Sequence, residues 1–464
     1  MTTPPTGTSE ARSYGRRASL LSIGVGLTGL ITYLFFAIAS HELSREDYGQ
    51  VAVLWSAVFI VVSILQRPVE QLLSRTVSEH LETGQPIGRT LRVAATIQLA
   101  VAIGFLVLAL ALRVPIEDGL LDGNETLYWV GVGAIAAYGV SYYARGYLAG
   151  SHRLMIYALL IISESVSRTA FPLAVALGIA DGQDAVALGI VAAPTVSLIV
   201  VPFAFLRRTS GDGGESAGAE SATAEPASSQ PDSEFTLAHG GSFAAAVFLI
   251  MLSEQTFLNA GPLLVNGSAG AAAAGYIFNI LMIARAPLQL FQAVSTSLLP
   301  HLTRLRSQGA DEDFHASVRV TIAGIAGFAA LLALAMVIAG PELMQIAFGD
   351  KFSYERADLL IVTVGMGLYL SAATLNQAAL AQGQVRRAAA CWIACAIAFV
   401  VWTAVPLVAD EFRRVEVGYL GAAAILCALL YLVYRRPRPR DEDTFEPGST
   451  EEMELRLAAA DEGS

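Results

Sequence analysis

The sequence has 464 residues, of which 54% are hydrophobic and only 15% are charged. An ordinary soluble domain carries about 25% charged residues, so this composition excludes a soluble globular protein and predicts an integral membrane protein. Much of the net charge of −11 lies in two polar segments, 207–236 and 435–464, whose composition predicts disordered, solvated chain.

Apolar segments of about 20 residues, the length that crosses the hydrocarbon core, recur along the chain. They predict an all-α fold of twelve transmembrane helices in two six-helix halves, 18–206 and 237–434. Residues 1–17 are polar and precede a long apolar segment, so we expect a retained N-terminal segment rather than a cleaved signal. The predicted spans are 18–40, 49–73, 90–112, 127–149, 155–179, 184–206, 239–261, 272–299, 316–339, 356–380, 387–409 and 415–434.

Arginine is unevenly distributed among the short loops. One set of alternating loops is rich in arginine, for example at Arg16 and Arg17, whereas the other set mixes a few basic residues with acids such as Glu46 and Asp358. Because cytoplasmic loops carry the excess of Lys and Arg, both termini are expected to be cytoplasmic. Six spans per half then make the two halves parallel repeats, related by an axis along the membrane normal.

Short motifs recur in the two halves. Tyr48-Gly49 opens the second predicted span and Gly275-Tyr276 opens the eighth. Leu148-Ala149-Gly150, after the fourth span, resembles Leu380-Ala381-Gln382 after the tenth. Duplicated membrane helices are typical of transporters, in which the substrate path lies between the repeats.

Several charged residues lie inside predicted spans, where a charge costs about 2.5–3.5 kcal/mol unless it has a partner, a cavity or access to the surface. Arg145 is close to a cytoplasmic helix end, as is Arg75, and both are expected to reach the lipid headgroups. Glu164 precedes Arg168 by four residues, which predicts an ion pair within one helix, with a cavity role as the alternative. Arg67 and Glu70 leave the same two alternatives open.

Two further charges have no opposite charge within a turn of their own helix. Glu254 in the seventh span and Arg285 in the eighth must either pair across helices or face a water-filled cavity, and both options place them inside the bundle. Asn279 and Gln289 share the helix of Arg285, and Pro287 interrupts its hydrogen bonding. This polar stripe predicts a cavity wall, with helix packing as the alternative.

Arginines outnumber acids within the spans, which predicts a net positive cavity suited to an anionic substrate. The planar arginine fork binds phosphate oxygens in pairs. The residues compared are Arg67, Arg75, Arg145, Arg168 and Arg285 with Glu70, Glu164 and Glu254.

The sequence lacks the signatures of several other classes of protein. Cys391 and Cys395 are one helical turn apart without a His or carboxylate beside them, so we interpret them as packing residues rather than metal ligands. The six histidines are scattered at helix ends, which disfavours a membrane-bound glycosyl- or acyltransferase. No Gly-Lys-Ser/Thr loop is present, which disfavours ATP-driven export. We expect no enzymatic activity, no metal or other cofactor and no nucleic-acid partner.

Taken in order, several motifs resemble the polysaccharide and lipid-linked oligosaccharide flippases of the multidrug/oligosaccharidyl-lipid/polysaccharide exporter superfamily. The resemblance covers 15–435 and depends on order and spacing rather than on any single motif. The motifs are Glu46-Asp47-Tyr48-Gly49 with Val51-Ala52-Val53-Leu54-Trp55 after it, the acidic Glu254, Gly275-Tyr276, Pro287 and Leu299-Pro300.

This resemblance implies two six-helix bundles around a central cavity that opens alternately to the two faces of the plasma membrane. The implied activity moves an oligosaccharide on a polyprenyl diphosphate from the cytoplasmic to the outer leaflet. The implied partners are this lipid-linked glycan, membrane lipids, a coupling cation (H⁺ or Na⁺) and proteins of polysaccharide assembly. Substrate binding is assigned to Arg67, Arg285, Arg168, Asn279 and Gln289, and ion coupling to Glu254 and Glu164.

The alternative is an ion-coupled antiporter of small molecules or drugs from the same superfamily. The drug-exporting branch commonly carries an acidic residue in its first helix. This chain has none between residues 18 and 40, which favours the flippase.

Overall fold

The structure is a computed structural model that describes residues 7–200, 202 and 237–436. This described part forms fourteen α-helices without a β-strand. A short 3₁₀ turn, Leu198–Val200, follows the eighth helix. The helices are α1 (Gly7–Glu42), α2 (Arg45–Leu65), α3 (Arg67–Glu82), α4 (Gly88–Ala111), α5 (Arg113–Leu120), α6 (Glu125–Gly150), α7 (Leu154–Ala176), α8 (Gly182–Ser197), α9 (Leu237–Ala269), α10 (Ala271–Ser307), α11 (Asp311–Phe348), α12 (Arg356–Ala381), α13 (Val385–Ala404) and α14 (Glu411–Arg435).

Every predicted span falls on a helix, and the prediction of an all-α membrane protein is confirmed. Nine stretches of the described residues are long and apolar enough to cross a membrane, and one of them, Arg45–Leu81, combines α2 and α3. The other predicted spans lie in α1, α6 and α10. The predictions for 207–236 and for the tail beyond residue 436 lie outside the described residues.

The second predicted span is two helices rather than one. α2 ends at Leu65 and α3 begins at Arg67, with Gln66 between them. Pro68 lacks a backbone N–H and its ring opposes a continuous helix, which explains the break. The break places Arg67 at the first position of α3, inside the membrane-spanning stretch.

The two halves repeat the same helix pairings. In the first half α1 packs along α7 and α6 along α8, and in the second half α9 packs along α13 and α12 along α14. Similarly, α3 packs on α6 and α10 packs on α12. This repetition is expected of a duplicated fold.

The duplicated Tyr-Gly motifs meet where the halves touch. α2 of the first half packs against α9 and α10 of the second. A Cβ atom on Gly49 would lie 1.8 Å from the carbonyl oxygen of Ala271, and one on Gly275 would lie 3.1 Å from the Cα of Gly49. The backbones of α2 and α10 therefore approach closely because Gly49 has no side chain.

Candidate functional site

Hydrogen bonds join the halves at the end where α1 leads into α2 and where α11 leads towards α12. The hydroxyl of Ser40 donates to the carbonyl oxygen of Phe348 over 2.6 Å. The ammonium group of Lys351 donates to the carbonyl oxygens of His41 and Leu43, both over 2.6 Å. We call this end of the interface the closed end.

A second group of polar side chains lies in the first half, between α3, α6 and α7. Arg145 forms an ion pair with Glu164, and their side chains are only 12% and 3% exposed. The guanidinium of Arg145 also lies over the ring of Tyr142, 4.5 Å from its centre. Tyr157 donates a hydrogen bond of 3.2 Å to Glu70. We call these residues, together with Arg67 and Arg168, the polar cluster.

The polar cluster lies towards the end of the bundle opposite the closed end. Arg145 is in the last turns of α6 and Tyr157 is in the first turn of α7, so both adjoin the short loop between these helices. Arg67 begins α3, which leads away from the closed end. Most of the polar cluster is therefore separated from the closed end by the length of α2, whereas Arg168 lies beside Trp55 in the middle of that helix.

The prediction of an ion pair between Glu164 and Arg168 is wrong. Glu164 pairs with Arg145 of the neighbouring helix, whereas Arg168 donates to the hydroxyl of Tyr138 over 2.9 Å. Arg168 also lies over the indole of Trp55, 4.5 Å from the ring centre. The packing of α6 on α7 decides this pairing, because a buried Arg145 without an acid would carry an uncompensated charge.

The expectation that Arg145 reaches the lipid headgroups is also wrong, because Arg145 is buried in its ion pair with Glu164. Arg75, by contrast, has a side chain that is 80% exposed and forms an ion pair of 2.6 Å with Glu79. It therefore lies on the surface of α3 and outside the polar cluster.

Arg67 lies between acids of both halves. It is half-buried at the start of α3, beside Tyr142, Glu70 of its own helix and Glu254 of α9. No carboxylate among the described residues forms an ion pair within 4.0 Å of Arg67 or of Arg168. These two arginines therefore lack an acidic partner at ion-pair distance, although the side chain of Arg168 is buried and donates to Tyr138. Glu254 brings the second half up to the polar cluster.

Arg285 and Glu254 do not pair with each other. Arg285 donates to the side-chain oxygen of Asn259 over 2.8 Å and to the carbonyl oxygen of Leu258, both on α9. Its guanidinium lies over the ring of Phe278 at 4.7 Å. Arg285 thus finds its partners on a neighbouring helix, which was one of the two alternatives. It links α9 to α10 at a distance from Arg67 along the bundle.

The remaining residues of the predicted polar stripe are divided. Asn279 is fully buried, accepts a hydrogen bond from the Tyr48 hydroxyl and donates one of 2.9 Å to Tyr354. It therefore joins the two halves, which corresponds to the helix-packing alternative. Gln289 lies on α10, but its side chain is outside those that the structure describes.

The positive excess predicted for the spans is smaller in the polar cluster. Arg75 lies on the surface and Arg285 belongs to the contact between α9 and α10, which leaves Arg67, Arg145 and Arg168. The cluster contains two acids, Glu70 and Glu164, and Glu254 of the second half lies beside Arg67. Arg145 is paired with Glu164, whereas the other two arginines have no carboxylate within 4.0 Å.

Sequence reasoning missed the aromatic residues of the cluster. Trp55, Tyr138, Tyr142 and Tyr157 support the arginines by hydrogen bonds or by ring contacts. Tyrosines within spans were the available signal, since a buried hydroxyl needs a hydrogen-bond partner. Within the described residues no group of three or more His, Cys, Asp or Glu side chains could hold a metal ion.

The sequence matches the family model described as polysaccharide biosynthesis protein over residues 14–306. The chain belongs to this family. The match extends from α1 to the end of α10 and includes Arg67, Glu164, Glu254 and Arg285. No curated protein matches the sequence.

Solved transporters share the fold. An inward-facing multidrug resistance transporter of the MATE family and the MOP superfamily has 12% identity and a TM-score of 0.64, with 96% of this chain and 99% of that chain covered. A eukaryotic MATE transporter has 11% identity and a TM-score of 0.58, with coverages of 90% and 95%. A mutant of the Vibrio cholerae MATE transporter VcmN has 14% identity and a TM-score of 0.52, with coverages of 92% and 97%.

These similarities confirm the predicted fold class, and together with the family match they confirm the resemblance to this superfamily. The chain is a multi-pass membrane protein with the twelve-helix transporter fold of two six-helix halves. Its family and its structural neighbours are transporters rather than enzymes.

Proposed function

We propose that this protein moves a polyprenyl-diphosphate-linked oligosaccharide, or a related polysaccharide precursor, across the plasma membrane by alternating access. The family match over residues 14–306 is the observation that carries this proposal. The duplicated transporter fold supports movement of a substrate rather than its chemical conversion.

Arg67 and Arg168 are the residues best suited to hold the diphosphate. Both carry a charge that no described carboxylate neutralises within 4.0 Å. A guanidinium can bind two phosphate oxygens at once, so these side chains can replace part of the hydration shell of a diphosphate. Arg145 has a positioning role, since its ion pair with Glu164 fixes α6 against α7 beneath Arg67. The prenyl chain would stay in the lipid.

The arginine distribution among the loops supports a cytoplasmic position for both termini and an outer position for the loop between α1 and α2. In that orientation the closed end faces outwards and the polar cluster lies nearer the cytoplasm. Substrate would enter from the cytoplasmic leaflet, where polyprenyl-linked precursors are expected to be assembled. Release would require the closed end to open.

Glu254 is proposed to couple transport to a cation gradient. Its carboxylate lies on α9 opposite Arg67 of the first half, so its ionisation controls the attraction between the halves. A proton or Na⁺ bound at Glu254 would compete with Arg67 for the same carboxylate.

Reconstitution into liposomes tests the proposal directly. A labelled polyprenyl-diphosphate sugar would be placed in one leaflet, and its arrival in the other would be followed in folded preparations. We expect flipping above the rate of empty liposomes. A rate equal to that of empty liposomes, combined with cation-driven uptake of a small organic cation, would favour the antiporter instead.

Arg67→Gln should slow flipping about 10- to 100-fold. The reason is the loss of a charge-assisted hydrogen bond to phosphate, worth about 1.5–3 kcal/mol. Arg75→Gln is the matched control, because Arg75 is on the same helix but exposed, and it should flip at the wild-type rate. Equal rates for the two variants in the liposome assay would remove Arg67 from the substrate site.

Glu254→Gln should make flipping insensitive to an imposed pH or Na⁺ gradient. The amide is nearly isosteric but does not ionise, so a gradient can no longer change the attraction to Arg67. Flipping rates with and without a gradient, compared in wild type and variant, measure this effect. A variant that still responds to the gradient like the wild type would show that Glu254 does not couple transport to the gradient.

A further inference from the structure

Two buried acidic side chains face each other near the closed end, away from the polar cluster. Asp358 lies in the first turn of α12 and Glu416 lies on α14, and they are only 6% and 1% exposed. The packing of α12 along α14 brings these two carboxyl groups together. Two ionised carboxylates repel each other strongly in such an environment, so the pair needs an additional positive charge or a shared proton.

Among the described residues, a tyrosine hydroxyl and an arginine contact Asp358, whereas Glu416 has no hydrogen-bond donor. The hydroxyl of Tyr276 donates to Asp358 over 3.1 Å, and the Nε of Arg413 lies 3.5 Å from its other oxygen. The same guanidinium also donates to Glu355 over 3.2 Å. Neither carboxyl oxygen of Glu416 has a hydrogen-bond partner in the described part of the chain.

The charges around Glu416 do not balance. Besides Asp358, the groups that act on it are Arg413 and Asp410, and the phenol of Tyr276 also lies near it. Asp410 accepts hydrogen bonds from two backbone N–H groups at the start of α14. With Glu355, which also contacts Arg413, four acids therefore surround one arginine. A shared proton between Asp358 and Glu416 would reduce this excess of negative charge.

A pocket of about 460 Å³ opens at the closed end and reaches Asp358 of the acidic pair. Its lining includes Tyr276, Asp358 and Arg413 of the second half and Arg45 of the first. Because residues of both halves line it, this pocket changes shape when the halves move relative to each other.

A continuous series of contacts connects Asp358 to the interface. The ring of its partner Tyr276 stacks on Tyr354, with the ring centres 5.3 Å apart and the planes at 11°. Tyr354 accepts a hydrogen bond from Asn279, which in turn accepts one from Tyr48 of the first half. Separation of the halves at this end would therefore disturb the surroundings of Asp358.

We propose that Asp358 and Glu416 form a proton-binding site that controls the closed end. With this end closed, the buried carboxyl groups share one proton. When it opens, water enters, Glu416 ionises and the proton passes to water in the pocket. Proton binding then favours the closed arrangement, so the closed population rises as the pH falls. This site is distinct from Glu254 and does not depend on which substrate is carried.

A metal ion fits this site less well than a proton. Na⁺ and Ca²⁺ require several oxygen ligands, whereas this site offers two carboxyl groups beside an arginine. A proton needs only the two facing oxygens.

The distance across the closed end tests the proposal. Spin labels would be attached at Glu46→Cys and Asp350→Cys in nanodiscs, with the three native cysteines replaced by alanine. As the pH is lowered, the ratio of closed to open molecules should rise by up to about tenfold per pH unit, which is the limit for one bound proton. Glu416→Gln, which mimics the protonated side chain, should stay closed throughout.

Glu342→Gln is the matched control, because Glu342 is exposed on α11 and pairs only with Arg356 at the surface. It should keep the wild-type profile. A wild-type distance distribution that does not change with pH would overturn the proposal, as would a full pH response in both Glu416→Gln and Asp358→Asn. A response to Na⁺ in place of K⁺ at constant pH, without a response to pH, would assign the pair to a metal ion and also overturn it.

Discussion

Gly49→Ala is expected to prevent the halves from closing and to reduce transport at least about tenfold. The added Cβ atom would lie 1.8 Å from the carbonyl oxygen of Ala271 and 2.3 Å from its carbonyl carbon. A backbone group cannot rotate away as a side chain can, so α2 and α10 must separate. Overpacking of this kind typically costs about 1–3 kcal/mol, and the cost here falls on the closed arrangement.

The measurement is the liposome flipping rate together with the label distance across the closed end. Gly104→Ala is the matched control, since Gly104 lies within α4 and a Cβ atom there would meet nothing within 4 Å. We expect the control to keep wild-type behaviour. If Gly49→Ala closed and transported normally, the crossing of α2 and α10 would not limit the movement of the halves.

Glu164→Ala is expected to lower the free energy of unfolding by about 3–5 kcal/mol. The variant leaves Arg145 buried without its partner, and an uncompensated buried charge is more costly than a missing ion pair. The double variant Arg145→Met with Glu164→Met should recover most of the stability, because neither charge remains. Denaturant unfolding in mixed micelles measures both effects.

Glu79→Ala supplies the comparison for an exposed ion pair. Glu79 pairs with Arg75 on the surface of α3, where such pairs contribute about 0–1 kcal/mol. A loss for Glu164→Ala no greater than that for Glu79→Ala would show that Arg145 can reach water or headgroups after all. That result would support the expectation from the sequence that Arg145 reaches the lipid headgroups.

The two variants separate two properties of the molecule. Gly49 lies between the halves, so its substitution changes how they move relative to each other. Glu164 lies within the first half, so its substitution changes the stability of one bundle. A loss of transport without a loss of stability is therefore expected for Gly49→Ala, whereas Glu164→Ala is expected to lower the stability of the first half.

The sequence by itself determined the membrane class and the order of the helices. Apolar length is a local property, and a span must satisfy its own backbone hydrogen bonds, so each predicted span apart from the second corresponds to one helix. The Tyr48-Gly49 and Gly275-Tyr276 motifs marked the duplication. The structure then placed both motifs where the halves cross, because close backbone contact requires glycine. The resemblance to flippases rested on the same local order of motifs, and the family match confirmed it.

Only the tertiary structure decided which charged groups are partners. Glu164 could meet Arg168 on its own helix, but the packing of α6 on α7 brings it to Arg145. From the sequence, Asp358 was expected to be one of the acids in the loops. The packing of α12 on α14 instead buries it beside Glu416. Spacing along one helix fixes which side chains can meet on that helix, whereas partners across helices depend on helix rotation and depth, which the packing of the whole bundle sets.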